Sequence, residues 1–331
     1  DRMNRRDAIR ALLASLAVSS GGLPHPAYGQ ARVPRIALLS GGSGQALEES
    51  IKALREGLTA LGYQEGRNFT FDPRFGDYDR ERTGKLTAEI IASKPDILIT
   101  QGAVLIAVAP LTRTVPVIAM FSGDMVDVGI IKSLARPGGN VSGIQYFAID
   151  LVGKRIELLK EIAPALKRIA VIADPGHPVV HLERDAAMAA AKKLGLSAAY
   201  YPVKNPKEEL EAALVAARAG GAEALVLFPD AVTVQGRARI AAFALQHKLP
   251  VVSGWETYAV AGCLVTYGPN LRVSWVRLAS YVDQVLKGAD PATLPVELPA
   301  IIELIVNRKT ANALGLKIPQ SVLLRADRVI E

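Results

Sequence analysis

From Arg35 onward, short apolar and β-branched runs alternate with longer amphipathic stretches, and this alternation constrains the fold more than any other feature of the chain. Strand-length runs separated by helix-length segments point to parallel sheets whose crossovers are helices, an α/β architecture. The first series reads RIALLS, a helix over about 45–61, NFTFDPRF, a helix over about 80–93, DILITQ, a helix over about 103–110, PVIAMF, and a short helix near 127–134. ARPGGNVSG then interrupts, with Pro137, Gly138 and Gly139 forming a turn. A second series repeats the order: a helix over about 150–163, RIAVIAD, a helix over about 179–194, SAAYYPV, a helix over about 206–218, ALVLFPD, a helix over about 232–246, and PVVSG.

The two series correspond in detail. PRIALLSGG and KRIAVIADPG each place a basic residue before a strand and a Gly-bearing loop after it. The next long helix ends at Leu61-Gly62 in one series and at Leu194-Gly195 in the other, where glycine fits a helix C-terminal stop. The chain therefore reads as two doubly wound, Rossmann-like halves with parallel sheets, an internal duplication. Its tail is expected to add one strand-helix pair to each half. With 331 residues, 50% of them hydrophobic, two ordinary cores can be filled.

Ahead of this region, MNRRDAIRALLASLAVSSGGLPHPAYGQA has a basic start, an apolar run from Ala11 to Val18, and Gly/Pro breakers. A bilayer span takes ~20 apolar residues, so this run is too short and reads as a secretory signal over 1–29, with the mature chain starting at Gln30. The pair Arg5-Arg6 resembles a twin-arginine export signal. A periplasmic location follows, where ATP and NAD are not supplied, and no cofactor is expected. The net charge of +7 owes much to Arg2, Arg5, Arg6 and Arg10, and no Lys/Arg cluster is interleaved with aromatics, so nucleic acid is not an expected partner. The single cysteine, Cys263, excludes an internal disulfide and reads as a small buried hydrophobe.

The loop SGGSGQ after the first strand is not a dinucleotide turn. Gly42 and Gly44 are present, but Leu47 stands where the third glycine belongs, and no P-loop lysine follows. What remains is a glycine turn at a helix N-terminus, whose amides favour an anion such as a carboxylate. Ligands of open α/β sheets lie outside the carboxyl ends of the strands. The expected site is therefore the strand-end loops of both halves. Ser40, Gly42, Ser43 and Gln45 would hold a carboxylate, with Gln101, Gly102 and Ala103 repeating the arrangement. Ser122 falls in the same kind of loop. Asp124, Asp174, Asp230 and Glu256 supply carboxylates, of which Asp124, Asp230 and Glu256 would pair with a ligand ammonium, Asp230 competing with a helix-cap role. Phe121, Tyr146, Phe147, Trp255, Tyr258 and Tyr267 fall near strand ends or crossings and would stack on an apolar or flat ligand. His177 and His181 are four apart, but Pro178 leaves His177 outside the helix, so both are expected to be exposed loop histidines and no metal site is assigned. GGSGQ lacks the last glycine of a nucleophile elbow, and no histidine reads as a triad partner, so no enzyme activity is expected.

GLTALGYQEGRNFTFDPRFGDYDRERTGKLTAEIIASKPDILITQG, TRTVPVIAMFSGDMVDVGIIKSLARPGGNVSG, KRIELLKEIAPALKRIAVIADP, VTYGPN, ASYVDQVLKGADPATLPVELP and ELIVNRKTANALGLKIPQSVLLRADRVIE resemble the ABC transporter substrate-binding proteins of the tryptophan and tyrosine type. The resemblance implies a type I periplasmic binding protein, two lobes joined by a three-segment hinge that closes on ligand. Its N-terminal lobe would comprise 33–145 plus 265–291 and its C-terminal lobe 146–264 plus 292–331, with crossings near Gly143–Phe147, Cys263–Thr266 and Asp290–Pro295. It implies a monomer that captures a small solute, an amino acid or aromatic acid, and delivers it to an inner-membrane ABC permease. The alternative is a sensor of the same fold that presents its closed form to a receptor kinase or chemoreceptor. Gly123-Asp124-Met125 and Ala103-Val104-Leu105 replace the family's usual Ala-Asp-Pro and Thr-Pro-Ala, so a relative's ligand does not transfer directly.

Overall fold

A computed structural model describes residues 32–146, 148–177 and 179–331; the expected signal segment 1–29 and Phe147 lie outside the described residues. Five strands, β1 (Arg35–Ser40), β2 (Thr70–Phe75), β3 (Ile97–Gln101), β4 (Val117–Phe121) and β5 (Val141–Gln145), form a parallel sheet in the order β2-β1-β3-β4-β5. Helices α1 (Gly44–Ala60), α2 (Arg80–Ala92) and α3 (Val104–Val108) connect them. The second sheet holds β6 (Arg168–Ala173), β7 (Ser197–Pro202), β8 (Ala224–Leu227), β9 (Val251–Ser253), β10 (Val265–Pro269), β11 (Ile302–Asn307) and β12 (Arg328–Ile330). Its order is β12-β11-β10-β9-β8-β6-β7. Counted from its own first strand, the second sheet opens with the order of the first, so the duplication is one of topology. Around it lie α4 (Ala148–Ile162), α5 (Val180–Lys193), α6 (Leu210–Ala219), α7 (Ala231–Gln246), α8 (Glu256–Val260), α9 (Leu271–Leu286), α10 (Arg308–Leu314) and α11 (Gln320–Arg325).

Alternation along each strand fills both faces of the first sheet. Ile36 and Leu38 meet Leu54, Leu58 and Trp275 on one side, while Ala37 and Leu39 meet Ile90, Val104 and Leu105 on the other. Helices on both faces explain why the central strands are apolar throughout rather than every second residue. Gly62 at φ +89° and Gly195 at φ +68° terminate α1 and α5 in the left-handed conformation their sequence context predicts.

The tail departs from expectation. It gives the first sheet no strand: β10, β11 and β12 all join the second, β11 running antiparallel to β10. Only α9 packs on the first sheet, its Trp275 and Leu278 sharing a core with Leu54 and Leu58 of α1. The 265–291 segment is thus divided, its strand in one half and its helix in the other. The chain crosses at Asn270, which caps α9 by accepting the Val273 N–H at 3.0 Å, and not at Cys263–Thr266. The last crossing also falls later than Asp290–Pro295, since Glu297 still exchanges backbone bonds with Gly143 and Gln145 at the edge of β5. Val141–Gln145, which follows the Pro137–Gly139 turn and overlaps the crossing expected near Gly143–Phe147, is the fifth strand, and 127–134 consists of turns and bends rather than a helix, with Gly129 at φ +71°.

α1 and α9 touch at Gly57, where a Cβ would lie 2.8 Å from both the Ala279 Cβ and the Val276 carbonyl oxygen. Gly57→Val is expected to cost about 1–3 kcal/mol through overpacking, read from the urea midpoint of unfolding. An unchanged midpoint would mean that the helices separate freely. Among the described residues no helix is long and apolar enough to cross a membrane.

Candidate functional site

In a doubly wound sheet the crevice opens where the strand order reverses, here between β1 and β3 in one half and between β6 and β8 in the other. The loops leaving these strands meet around one cavity of about 540 Å³. Ser40, Gly42 and Gln45 line it after β1, and Gln101, Gly102 and Ala103 after β3. Ser122 follows β4, Tyr146 stands at the first crossing, Asp174 follows β6, Asp230 follows β8, and Trp255 and Glu256 follow β9.

The glycine turn is built as a helix start. Ser43 is the N-cap of α1 and accepts the Ala46 N–H at 3.3 Å, so its hydroxyl is used by the helix rather than turned to the cavity. Ser40 Oγ accepts the Gly42 N–H at 3.1 Å. The Gly44 and Gln45 amides have no acceptor within the helix, and they sit at the positive end of its dipole. The turn is tied from behind by the Gly76 and Tyr78 amides, which donate to the Ser40 and Gly41 carbonyls at 2.8 Å. This tie brings the Tyr78 ring to the cavity wall, a residue not singled out in the sequence although FGDY is also a strand-end loop.

Asp230 takes the helix-cap role weighed for it and also lines the cavity. As N-cap of α7 it accepts the Thr233 N–H at 2.7 Å and the Thr233 hydroxyl at 3.0 Å on Oδ1, while Oδ2 accepts the Asp174 N–H at 2.7 Å. It is only 5% exposed yet lines the cavity, and burial pushes its carboxyl up to about 7. Deeper in the same half, Arg155 of α4 donates to Glu183 of α5 at 3.3 Å and to the Tyr267 carbonyl at 2.9 Å. Two buried carboxylates, Asp230 and Glu183, thus share the neighbourhood of one buried guanidinium, and burial pushes Glu183 to about 7 as well.

Among the described residues, the loop between β6 and α5 makes contacts across the cleft. Arg80 pairs with Asp174 at 3.1 Å, and Ser122 Oγ hydrogen-bonds His177 Nε2 at 2.9 Å. Val179 is buried in the core of the first half, close enough to Gly123 that a Cβ there would lie 2.5 Å from it. The cleft is closed. His177, expected as an exposed loop histidine, is instead a cavity residue, because its loop reaches across the cleft to Ser122. Burial pushes its pKa down from 6.5 to about 4, so the closed form holds it neutral. The unfolded chain then binds more protons between those values, and the contribution of His177 to stability is complete above 6.5 and lost as pH falls towards 4. Melting of wild type and His177→Gln from pH 4 to 7.5 should diverge below 6.5, with wild type losing more; parallel curves would remove this role.

Not every expected residue reaches the cavity. Phe121 is fully buried with Val117 and Ala119 in the core of the first half. Asp124 caps its own loop, accepting the Val126 and Asp127 amides at 2.7 and 3.2 Å. The Tyr267 ring packs against the second core. Cys263 is fully buried and its thiol is pushed up to about 12. Among the described residues no three metal-ligating side chains cluster. Met120, Arg237 and Leu271 line the cavity without having been singled out.

Residues 35–330 match the model of a family described as ABC transporter substrate binding protein. A tyrosine-binding protein of Clostridioides difficile is 25% identical over 274 residues, 82% of this chain and 78% of that protein. A conserved domain protein of Vibrio cholerae has a crystal structure with a TM-score of 0.83 at 26% identity, covering 90% of this chain and 100% of that one. The structure of an ABC domain in complex with L-Trp from Streptococcus pneumonia has a TM-score of 0.82 at 24% identity, covering 90% and 99%.

Proposed function

Since the chain belongs to the ABC transporter substrate binding protein family, we propose that it is the solute-binding component of an importer and takes a carboxylate-bearing solute, an amino acid or aromatic acid, into its cleft. The observation that carries this reading is the pairing of opposite chemistries on facing walls: the amide-rich start of α1 on one, the buried Asp230 carboxylate on the other. An α-amino acid presents a carboxylate and an ammonium two bonds apart and would satisfy both. Tyr78, Tyr146, Trp255 and Met120 surround the remaining space with apolar surface suited to an aromatic side chain. A tyrosine-binding relative and a related structure holding L-Trp support an aromatic amino acid.

On this reading the work done is binding, without chemistry. Closure about the crossings near 146, 270 and 298–301 encloses the solute. The closed form, exported to the periplasm, then meets the membrane permease as a monomer with surfaces of both lobes.

A thermal-shift screen of the purified protein against amino acids, aromatic acids, sugars and nucleosides tests the proposal. A ligand at a thousand times its dissociation constant adds ~4 kcal/mol of stability. Aromatic L-amino acids are expected to raise the melting temperature. Silence from every carboxylate-bearing compound, in protein shown by mass spectrometry to carry no solute, would overturn it.

A further inference from the structure

The charged groups lining the cavity are nearly all committed to partners in the protein. Asp174 pairs with Arg80, Glu256 with Arg328, Arg272 with Glu56, and Glu49 lies 4.0 Å from Lys52. Arg237 of α7 is the exception: among the described residues no carboxylate lies within ion-pair distance of it. Its one bond, Nη1 to the Val234 carbonyl at 2.7 Å, fixes one side of the guanidinium of a half-buried residue and leaves the other donors free. A guanidinium has five donors and no acceptor, so it is satisfied only by oxygen atoms, best by an anion that can take two of its bonds.

Position says where that anion comes from. Asp230 caps α7 and Arg237 stands seven residues further on, two helical turns along the same face, about 10 Å away. Val234, between them, also lines the cavity. A ligand whose ammonium rests at Asp230 has its α-carboxylate two bonds away, against the turn at Ser40–Gln45, and not two helical turns along α7. Whatever meets Arg237 belongs to the far end of the ligand.

We infer that Arg237 is a specificity-determining residue and that the natural solute carries a second anionic group at the distal end of its side chain. The inference rests on the aromatic amino acid reading above and narrows it. A neutral side chain of the same length would leave a partly desolvated cation facing an apolar cavity.

Three probes separate the possibilities: L-phenylalanine, 4-carboxy-L-phenylalanine, and 4-carbamoyl-L-phenylalanine, which has the shape of the second without its charge. Each is titrated calorimetrically into wild type and Arg237→Gln, both unfolded and refolded first to remove carried-over solute. Wild type is expected to bind the carboxylate about tenfold or more tightly than the carbamoyl compound, the effect of one charge-assisted contact. Arg237→Gln is expected to abolish that preference, so that the carboxylate and carbamoyl compounds bind it with equal affinity. Equal affinities in wild type, or a preference that survives the substitution, would overturn the inference while L-phenylalanine binding still upheld the amino acid reading. Failure of all three probes to bind wild type would remove both.

Discussion

Arg155→Ala is expected to lower the unfolding free energy by about 3–5 kcal/mol, because it strands a buried carboxylate without its cation. The Arg155 and Glu183 side chains are 1% and 4% exposed, so neither water nor a neighbouring cation can replace the lost partner. The guanidinium also holds the Tyr267 carbonyl in β10, and it packs so closely beneath Gly254 that a Cβ there would lie 2.5 Å from Nη2. Removing it therefore loosens the wall that carries Pro229 and Asp230. The sign with pH follows from Glu183. Burial already pushes its carboxyl up to about 7, and losing Arg155 pushes it further, so the folded variant holds a proton that the unfolded chain releases near 4.5. The folded state then binds more protons, and stability falls as pH rises. The loss should be larger at pH 8 than at pH 5, measured by urea unfolding of both proteins. A loss under 1 kcal/mol at pH 8 would show that the pair contributes nothing net.

Asp230→Asn is expected to weaken binding of an ammonium-bearing ligand by about 100-fold or more, the cost of taking one partner from a buried charge pair at 2–5 kcal/mol. Asparagine can still cap α7 by accepting the Thr233 N–H, but its amide NH2 then faces the Asp174 N–H that Oδ2 accepts, so stability should fall as well, by about 1–3 kcal/mol, which urea unfolding of the empty proteins measures separately. The pH dependence of affinity is what distinguishes a binding carboxylate from a mere cap. In the empty protein the carboxyl is held up to about 7 by burial, so below that pH an incoming ammonium must displace a proton. Wild-type affinity should rise up to about tenfold per pH unit from 5.5 towards 7 and level off above it, while Asp230→Asn should show a flat profile. Calorimetry in two buffers of different ionisation enthalpy would count the released proton. A wild-type affinity that is flat from pH 5.5 to 8.5 would remove the ammonium from Asp230.

Much of the site was legible because strand ends follow a rule. Ser40, Gln101, Asp174 and Asp230 each stand at or just after the carboxyl end of a strand, and Pro, Gly and Asp mark those loops in the sequence. Phe121 and Tyr267 occupy strand-end positions too, but side chains alternate along a strand, and nothing local says which face looks into the cleft. Phe121 falls with Val117 and Ala119 on the face packed against Val104 and Leu105, whereas Met120 and Ser122 on the opposite face reach the cavity. Tyr78 and Arg237 escaped notice, and His177 was expected to be exposed, for a different reason. Tyr78 is placed by backbone bonds to the β1 turn, His177 by a hydrogen bond across the cleft, and Arg237 by its distance from a cap two turns earlier.

By itself the sequence determined the alternation of strands and helices, the duplicated order, the glycine stops after α1 and α5, and the N-cap at Asp230. Each depends on residues within a few positions of one another, where propensity, periodicity and capping act. Tertiary structure alone decided that β10 joins the second sheet while α9 crosses to the first, that Val179 enters the opposite core, and that Arg155 lies buried against Glu183. Arg80 and Asp174 are 94 residues apart, and Arg155 and Tyr267 are 112 apart. Pairings at such separations are chosen by which surfaces exclude water together, a property of the closed chain that no local pattern encodes.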